Sequence, residues 1–374
     1  MAELLAVGQA EFAMERVASR AFFSVGSVYE RWADKASLLA DIGVDPIAVN
    51  IESALARADD ASQAISWVLD DGRHQVLLGG EILLAGQTMP SVRESSLAVW
   101  AALCGGLSRH LPPSMSWYVA TYAVGNALLG VLGLPGPQPA RGRVTWIVDA
   151  CAASTAPVIS GPTQGPDDVV IPVVPAPSGS DDVALALIDA ARVLLREHGA
   201  VGTSTREIAT GAGVSTGALY RRYEGKSRLL ADVLLAQLEP DRYTWTWDLV
   251  RALASGNPYG EAAAVIAHRM ITMARDLPTQ RVLLQVGIAA RNDPALRAQI
   301  AERVGVADQA RVDMVEHFMT AGILRRDVSP GVFAWGFQTI PVGTRATLPL
   351  GIPLDEGTVA QAMYALLAAA AAAS

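Results

Sequence analysis

Cationic side chains are concentrated in one short window of this chain, and their types suit contact with nucleic-acid phosphates. Residues 205–228 contain five cations and two acids, a local net charge of +3, whereas the whole chain has a net charge of −8. Arginine and lysine bind phosphate oxygens, and that contact dominates the affinity of many proteins for DNA. Because the molecule as a whole is acidic, a nucleic-acid surface has to be a local patch. The cations of this window are Arg206, Arg221, Arg222, Lys226 and Arg228.

Capping residues and glycines divide the same window into two short helices. Ser204 and Glu207 have the spacing of a capping box, which predicts a helix that begins there. The sequence Thr-Gly-Ala-Gly at 210–213 permits a tight turn, and Ser215 can cap a second helix over 216–222. Two short helices joined by a glycine turn form a helix-turn-helix, a unit whose second helix lies in the DNA major groove.

The predicted DNA contacts come from the ends of these helices. Lys226 begins a third helix, where backbone N–H groups, the helix dipole and the ammonium can meet one phosphate. The small residues Thr216 and Gly217 allow the second helix to approach base edges, and Tyr220 can donate its hydroxyl to a phosphate. The predicted DNA-binding residues are Thr205, Arg206, Ser215, Thr216, Gly217, Tyr220, Arg221 and Lys226.

The same motif occurs a second time near the start of the chain. The sequence VSTGALYRRYEGKSRLLAD at 214–232 and the sequence FSVGSVYERWADKASLLAD at 23–41 are identical at nine of 19 positions without a gap. A match of that length predicts a duplicated unit. We call the unit predicted at 1–42 the first copy and the unit predicted at 183–238 the second copy.

The first copy has lost several features of the second. Arg20 and Phe22 stand where the second copy has its turn glycines, and Glu15 stands where it has Arg206. Weaker phosphate contacts are predicted for the residues that remain, which are Ser24, Tyr29 and Lys35. Two interpretations stay open: a weaker reader with a different sequence preference, or a degenerate copy whose helices only support the neighbouring core.

The segment TREIATGAGVSTGALYRRYEGKSRLL at 205–230 resembles the DNA-binding domain of the TetR/AcrR family of bacterial one-component repressors, and the resemblance extends over 183–238. The matching positions are Ile208, Ala209, Gly213, Val214, Ser215, Tyr220, Tyr223, Lys226, Leu229 and Leu230. The resemblance implies an all-α protein in which helices 1–3 bind DNA, helix 4 connects, and a helical domain holds a small ligand. It also implies dimerisation through the last long helices.

A proline- and glycine-rich stretch separates two similar parts of the chain. Residues 155–182 contain six prolines and three glycines, which cannot sustain a helix, so we predict a linker there. The predicted fold class is all-α, with two tandem TetR-like units. The predicted domains are a degenerate helix-turn-helix domain at 1–42, a first helical ligand-binding and dimerisation domain at 43–154, the linker at 155–182, a TetR-type helix-turn-helix domain at 183–238 and a second helical domain at 239–374.

Two diverged copies in one chain can replace the homodimer that ordinarily reads a two-fold symmetric operator. We therefore predict a monomer that acts as an intrachain pseudo-dimer on double-stranded DNA, with an operator that need not be symmetric. The two halves are expected to meet in a four-helix contact between 91–133 and 294–346, helped by the C-terminal helices. A homodimer of two chains is the alternative.

The helical domains contain aromatic and apolar residues that suit a pocket for a small lipophilic effector. Such residues at helical spacing more often belong to a packed core, so the pocket is a hypothesis. The predicted ligand-binding residues are Trp247, His268, Met273, Arg291 and Trp335 in the second helical domain and Trp100 and Trp117 in the first.

Other functions find little support in the sequence. We find no nucleophile motif, phosphate loop or metal-spaced set of His, Cys and acids, so we expect no enzymatic activity, metal or cofactor. Two cysteines fit reduced thiols in a bacterial cytoplasm, and the uncharged run at 117–134 is predicted to be a packing helix rather than a membrane span. The predicted function is a DNA-binding transcriptional regulator, a repressor released by its effector. A ligand-sequestering protein of the same fold that has lost DNA binding is the alternative.

Overall fold

The computed structural model of this protein describes residues 1–132, 146–151, 182–238, 248–249, 251–253, 255, 257–325, 327 and 329–371. Helices make up nearly all of the regular structure in these ranges, and an isolated β-bridge joins Leu324 to Ala371. The prediction of an all-α fold is therefore confirmed. The predicted linker lies outside the described residues, apart from Asp182.

The amino-terminal part, residues 1–151, begins with four short helices and continues with longer ones. These are α1 (Ala2–Glu11), α2 (Met14–Ala21), α3 (Val25–Arg31), α4 (Lys35–Ile42), α5 (Val49–Ala56), α6 (Ala61–Ser66), α7 (Arg73–Thr88), α8 (Arg93–Leu107) and α9 (Pro113–Val131). Turns with π-type hydrogen bonds at Gly43–Ala48 and Trp67–Asp71 continue α4 and α6, and a further helical segment lies at 146–151.

The carboxy-terminal part, residues 182–371, follows a similar order. Its helices are α10 (Asp182–Gly202), α11 (Thr205–Gly211), α12 (Thr216–Arg222), α13 (Lys226–Leu238), α14 (Pro258–Arg275), α15 (Leu277–Asn292), α16 (Pro294–Thr320), α17 (Pro330–Thr347) and α18 (Glu356–Ala369). Many of these starts follow from local sequence. At α16, for example, Asp293 accepts the N–H of Leu296 at 2.9 Å and Pro294 takes the first helical position.

The first helices of the two parts bend in the same way. α1 bends at Gly8, where φ is 73°, and α10 bends at Gly199, where φ is 69°. In each part a side chain from a longer helix accepts the backbone N–H of the residue that follows the bent glycine. Glu81 of α7 accepts from Gln9 at 2.7 Å, and Gln285 of α15 accepts from Ala200 at 2.9 Å. Each helix-turn-helix is therefore tied to the helical bundle at the kink of its first helix.

The two parts of the chain meet along α9 and α17. Gly125 of α9 lies against the carbonyl oxygen of Thr339, and Gly343 of α17 lies against the carbonyl oxygen of Thr121, so the two contacts are reciprocal. A Cβ atom at either glycine would overlap backbone atoms of the opposite helix. The two helices therefore pack backbone against backbone, an approach that only glycine allows.

The segment at 146–151 and α18 complete this contact. Trp146 donates to the carbonyl of Leu366 at 3.3 Å, and its ring centre lies 5.2 Å from that of Phe333. Four helical segments therefore form the contact between the parts: α9, α17, α18 and the segment at 146–151. The predicted contact, between 91–133 and 294–346, also included α8. α8 packs mainly on α7, on α5 and on the turn at Gly43–Ala48 of its own part, because its buried side chains face inward there; Val99, for example, lies against Gly79 of α7.

The uncharged run predicted as a packing helix corresponds to α9, and most of its side chains are buried. Among the helices of the described ranges, none is both long enough and apolar enough to cross a membrane.

Replacing Gly125 by alanine tests the contact between α9 and α17. The new methyl group would meet the backbone of Thr339, which cannot move aside as the end of a side chain can. We expect the free energy of unfolding to fall by about 2–3 kcal/mol. Gly130→Ala is the matched control on the same helix, because nothing lies within 4 Å of a Cβ there, and the better helix propensity of alanine should stabilise by up to about 1 kcal/mol. Urea denaturation measures both variants, and equal effects would contradict a close backbone contact at Gly125.

Candidate nucleic-acid interface

The start of α11 in the second copy is built as the sequence predicts. Ser204 Oγ accepts the N–H of Glu207 at 3.2 Å, and the Glu207 carboxylate accepts the N–H of Ser204 at 2.8 Å, which confirms the capping box. Hydrogen bonds from the Ser204 side chain and backbone hold the pKa of Glu207 below its usual value. The cap fixes the end of α11 that carries Thr205 and Arg206.

The turn after α11 depends on one glycine. Gly213 has a φ of 69°, and its N–H and the next N–H both return to carbonyls of α11. Ser215 then accepts the N–H of Ala218 at 3.1 Å and begins α12 at Thr216–Arg222, as predicted. Gly211, which was also predicted to serve the turn, is instead the last residue of α11. The helix-turn-helix geometry is therefore fixed by Gly213 and Ser215.

Apolar side chains hold α11 and α12 against each other and against α13. Each member of this small core is exposed by 2 % or less of its surface: Ile208, Ala209, Leu219, Tyr223, Leu229 and Leu230. All but Leu219 are positions on which the family resemblance depends. They position the helices, so the side chains predicted to contact DNA have to lie on the opposite face.

That opposite face carries most of the predicted DNA contacts. Tyr220 is 53 % exposed, and its hydroxyl lies 3.1 Å from Thr205 Oγ1, so α11 and α12 are joined at the surface. Arg206 and Arg221 are exposed on the same two helices, and no carboxylate of the described residues lies within ion-pair distance of either guanidinium. At the start of α12, Ser215 and Gly217 are exposed and Thr216 is half-buried. The face therefore offers two unpaired cations and a positioned phenol.

Lys226 begins α13, as predicted, but its ammonium already has partners within the protein. Its ammonium donates to the carbonyl oxygens of Ala200 and Thr203, both at 2.5 Å, near the end of α10. Burial lowers the pKa of this lysine. Lys226 thus joins α13 to α10 and satisfies carbonyls that a helix end leaves free. A phosphate contact would require the ammonium to exchange these partners.

The first copy has the backbone of the second with a different surface. Phe22, which stands where the second copy has Gly213, adopts a φ of 58°. Ser24 accepts the N–H of Ser27 at 3.0 Å and caps α3. Lys35 donates to the carbonyl of Ala10 at 3.2 Å, much as Lys226 does at the end of α10. The lost turn glycine is therefore replaced without loss of the turn.

The cations of the first copy have partners within that copy. Glu3 is 3 % exposed and forms ion pairs with Arg16 at 3.2 Å and with Arg20 at 2.6 Å. The guanidinium carbon of Arg31 lies 5.0 Å from the centre of the Trp32 ring. Much of the positive charge in the first copy is therefore already compensated.

An acid also changes the surface around Tyr29. The Tyr29 hydroxyl donates to the Glu15 carboxylate at 3.2 Å, whereas the matching Tyr220 pairs with a neutral threonine. Glu15 occupies the position of Arg206, so a cation is exchanged for an anion next to the phenol. The phosphate contacts predicted for Tyr29 and Lys35 start from groups that already have partners.

The predicted ligand-binding residues are not brought together. His268 is exposed and lies 3.4 Å from Glu356, Trp335 donates to Asn126 across the α9–α17 contact, and Arg291 lies in a buried ion pair. Of the others, Trp100 is buried and Trp117 half-buried in the amino-terminal part, Met273 is half-buried on α14, and Trp247 lies outside the described residues. The described members of this set face different neighbours, and their role in ligand binding stays a prediction.

A small apolar cavity lies elsewhere in the carboxy-terminal part. Its lining residues are Leu249, Leu253, Ile266, Met314, Val315, Phe318, Leu324, Phe333 and Leu367. Sequence reasoning missed them because aliphatic residues and Phe at helical spacing are the types that fill a solid core. No polar residue in the lining marks it in the sequence.

A buried ion pair joins the two parts of the chain beside the first copy. Arg291 of α15 pairs with Glu81 of α7, and the two side chains are 10 % and 3 % exposed. Arg291 also donates to the carbonyls of Leu4 at 3.3 Å and Leu5 at 2.7 Å, just before the kink at Gly8. Burial lowers the pKa of Arg291 to about 10, so the guanidinium remains charged at neutral pH.

Comparison with known proteins identifies one segment of the chain. Residues 187–233 match the family model described as bacterial regulatory proteins, tetR family. None of the curated proteins matches the chain.

Solved structures similar to about half of this chain have low sequence identity to it. The fatty acid degradation regulator FadR from Bacillus halodurans is 16 % identical, with 51 % of this chain and 96 % of that chain covered and a TM-score of 0.39. NalD, the secondary repressor of the MexAB-OprM multidrug efflux pump in Pseudomonas aeruginosa, is 22 % identical over 49 % and 94 %, with a TM-score of 0.37. A TetR family transcription regulator from Marinobacter aquaeolei VT8 is 20 % identical over 52 % and 97 %, with a TM-score of 0.34.

Replacing Arg291 by methionine tests the buried ion pair. The change leaves Glu81 as a buried, unpaired carboxylate and frees two carbonyls of α1, so we expect the free energy of unfolding to fall by about 3–5 kcal/mol. Arg281→Met on the exposed face of the same helix is the control and should change it by less than about 0.5 kcal/mol. Adding Glu81→Met to Arg291→Met should recover part of the loss, because no unpaired charge remains. Chemical denaturation measures all three, and a loss no greater than that of the control would show that the pair is not buried in solution.

Proposed function

We propose that this chain, which carries a DNA-binding domain of the TetR family at residues 187–233, is a transcriptional regulator that docks α11 and α12 on duplex DNA. The observation that carries the proposal is the exposed face of the second copy. There Arg206 and Arg221 have no acidic partner among the described residues, and Tyr220 is held between their helices. Cations without an acidic partner can bind phosphates without first breaking an ion pair.

The proposed mechanism is repression that a small lipophilic effector relieves. α16 connects the apolar cavity to the second copy: Met314 and Phe318 line the cavity near one end of the helix, and Asp293 caps the other end. Asp293 also accepts a hydrogen bond from Ser227 of α13. An effector that enlarges the cavity would shift α16 and, through this hydrogen bond, α13. Operator affinity would then fall by the difference in effector affinity between the two states.

Both copies are proposed to act within one chain as a pseudo-dimer. The reciprocal glycine contacts of α9 and α17 support this, because a two-fold dimer contact has the same reciprocal character. One helix also holds both copies: Gln285 of α15 binds α10, and Arg291 of α15 binds α1. These residues lie about 9 Å apart along the helix. Two copies that differ in surface can read an operator whose half-sites differ.

Salt-dependent DNA binding tests the proposed interface. The probe is a duplex selected by the full chain from a random-sequence pool, and affinity is measured by fluorescence anisotropy from 50 mM salt upward. Arg206→Ala and Arg221→Ala should each weaken binding and lower the slope of log K against log salt by about 1, because each removes one phosphate contact. Arg109→Ala is the control, since Arg109 is exposed but pairs with Glu52 at 3.1 Å far from the second copy in sequence.

If Arg206→Ala and Arg221→Ala leave the salt slope unchanged, as the control Arg109→Ala does, the interface has been placed on the wrong face. If the intact chain selects no duplex at all, the alternative function, a ligand-sequestering protein of this fold, is supported instead.

The mass of the chain in solution tests the pseudo-dimer. Because α9 and α17 already use each other's surfaces, we expect light scattering at micromolar concentration to give the mass of one chain, free or bound to the selected duplex. A mass of two chains would contradict the intrachain arrangement.

A further inference from the structure

The turn and recognition helix of the first copy present an exposed apolar surface, which we call the aromatic tip. It consists of Phe22, Phe23 and Val25, exposed by 97 %, 66 % and 41 % of their surfaces. No other large apolar residue of the described ranges is as exposed as Phe22. Such exposure is unfavourable in water, so the tip is a candidate contact surface.

The backbone of the tip is fixed. Phe22 takes the left-handed conformation that glycine adopts more easily, and its N–H donates to the carbonyl of Ser19 at 3.3 Å. The next N–H, that of Phe23, donates to the carbonyl of Ala18 at 3.0 Å. Ser24 then caps α3. The two aromatic rings are therefore displayed from an ordered turn.

The aromatic tip occupies the place of the base-reading end of the second copy. In the ungapped alignment Phe22, Phe23 and Val25 match Gly213, Val214 and Thr216, at the turn and the start of α12. α15 binds the first helices of both copies. In the pseudo-dimer proposed above both copies share one duplex, and the tip is the part of the first copy that would then face the groove.

The charges of the first copy limit what the tip can recognise. Arg16 and Arg20 are paired with Glu3, and Glu15 holds Tyr29, so a strong phosphate clamp is absent from the described residues of this copy. The apolar group that the major groove exposes is the C5-methyl group of thymine, which Phe and other apolar side chains contact. An apolar tip with few free cations around it therefore fits contact with thymine methyl groups better than contact with phosphates.

From this juxtaposition we propose that the aromatic tip reads thymine methyl groups in the half-site next to the one bound by the second copy. The proposal rests on the proposed function, since the second copy must first bring the duplex into reach. The first copy then adds sequence preference with little dependence on salt, and the second copy adds the electrostatic affinity.

Replacing thymine by deoxyuridine tests this directly, because it removes only the methyl group and keeps base pairing. The half-site of the first copy is first assigned by footprinting, as the stretch of the duplex whose protection is weakened most by Phe23→Ser. The full chain is then titrated against its selected duplex with either thymine or deoxyuridine in that half-site. Deoxyuridine should weaken binding of the unmodified chain by about fourfold for each methyl group contacted. The double variant Phe22→Gly, Phe23→Ser should bind the thymine duplex about as weakly as the unmodified chain binds the deoxyuridine duplex. Its affinity should no longer change when thymine is replaced by deoxyuridine. Its salt slope should not change.

Controls separate the possible failures. Leu97→Ser, which alters an exposed apolar residue on α8, should keep the full deoxyuridine effect. Glycine suits the positive φ at residue 22, and circular dichroism should show an intact fold for the variant. Equal affinity of the unmodified chain for both duplexes, or an equal deoxyuridine effect in the Phe variant, would overturn the proposal while leaving DNA binding by the second copy intact. A change in solution mass on mutating the tip would overturn it in favour of a protein contact. Loss of all duplex binding by the unmodified chain would instead refute the function on which it rests.

Discussion

The arrangement of this molecule depends on the distance between two helix backbones. Gly125 and Gly343 let α9 and α17 touch through backbone atoms of Thr339 and Thr121, and a side chain at either glycine would force the two parts of the chain apart. The same separation brings Gln87 of α7 within 3.0 Å of the carbonyls at the end of α17. Because protein interiors are close-packed, a small displacement at the glycines cannot be absorbed locally. It would be passed to α7 and α15, which hold the two helix-turn-helix units.

The two units are held by different kinds of contact. The second copy is joined to α15 through a hydrogen bond from Ala200 to the neutral side chain of Gln285. The first copy is joined through the charged pair of Glu81 and Arg291, with further hydrogen bonds to the carbonyls of α1. A buried charged pair adds little net stability, but separating it exposes two unpaired charges to an apolar environment, which is costly. The first copy is therefore anchored to α15 by a contact that is costly to separate.

The helix caps and helix limits that depend on neighbouring residues could be predicted from the sequence. The capping box at Ser204, the cap at Ser215 and the extent of α12 all follow from residues within four positions of one another, and the structure agrees. The ammonium of Lys226 could not be placed in this way, because its partners lie more than 20 residues earlier in the chain. The neutralisation of Arg16 and Arg20 by a buried Glu3 depends likewise on how α1 packs against α2.

The apolar cavity was harder still to predict, because it is lined by the same residue types that fill a solid core. Side-chain type gives no sign of that difference: Phe318 lines the cavity, whereas Trp335, an equally plausible choice, packs against the other part of the chain. The duplication was the most informative feature of the sequence, since it identified equivalent positions whose environments could then be compared. Tyr29 and Tyr220 are the same residue at the same place, and only the structure shows that an acid holds one and a threonine the other.

The charged surface of the second copy and the aromatic tip of the first copy would select DNA in different ways. Contacts from Arg206 and Arg221 would weaken as salt rises, because counterions released into a more concentrated salt solution gain less free energy. An apolar contact to a thymine methyl does not depend on counterion release, so its share of the total discrimination grows with ionic strength. Since electrostatic attraction acts at a distance and methyl contact only at the surface, the second copy would govern association with any duplex. The aromatic tip would act afterwards, lengthening residence on sequences that place a methyl group beside Phe22 and Phe23. One chain would in this way separate the search for DNA from the choice of site, which two identical copies cannot do.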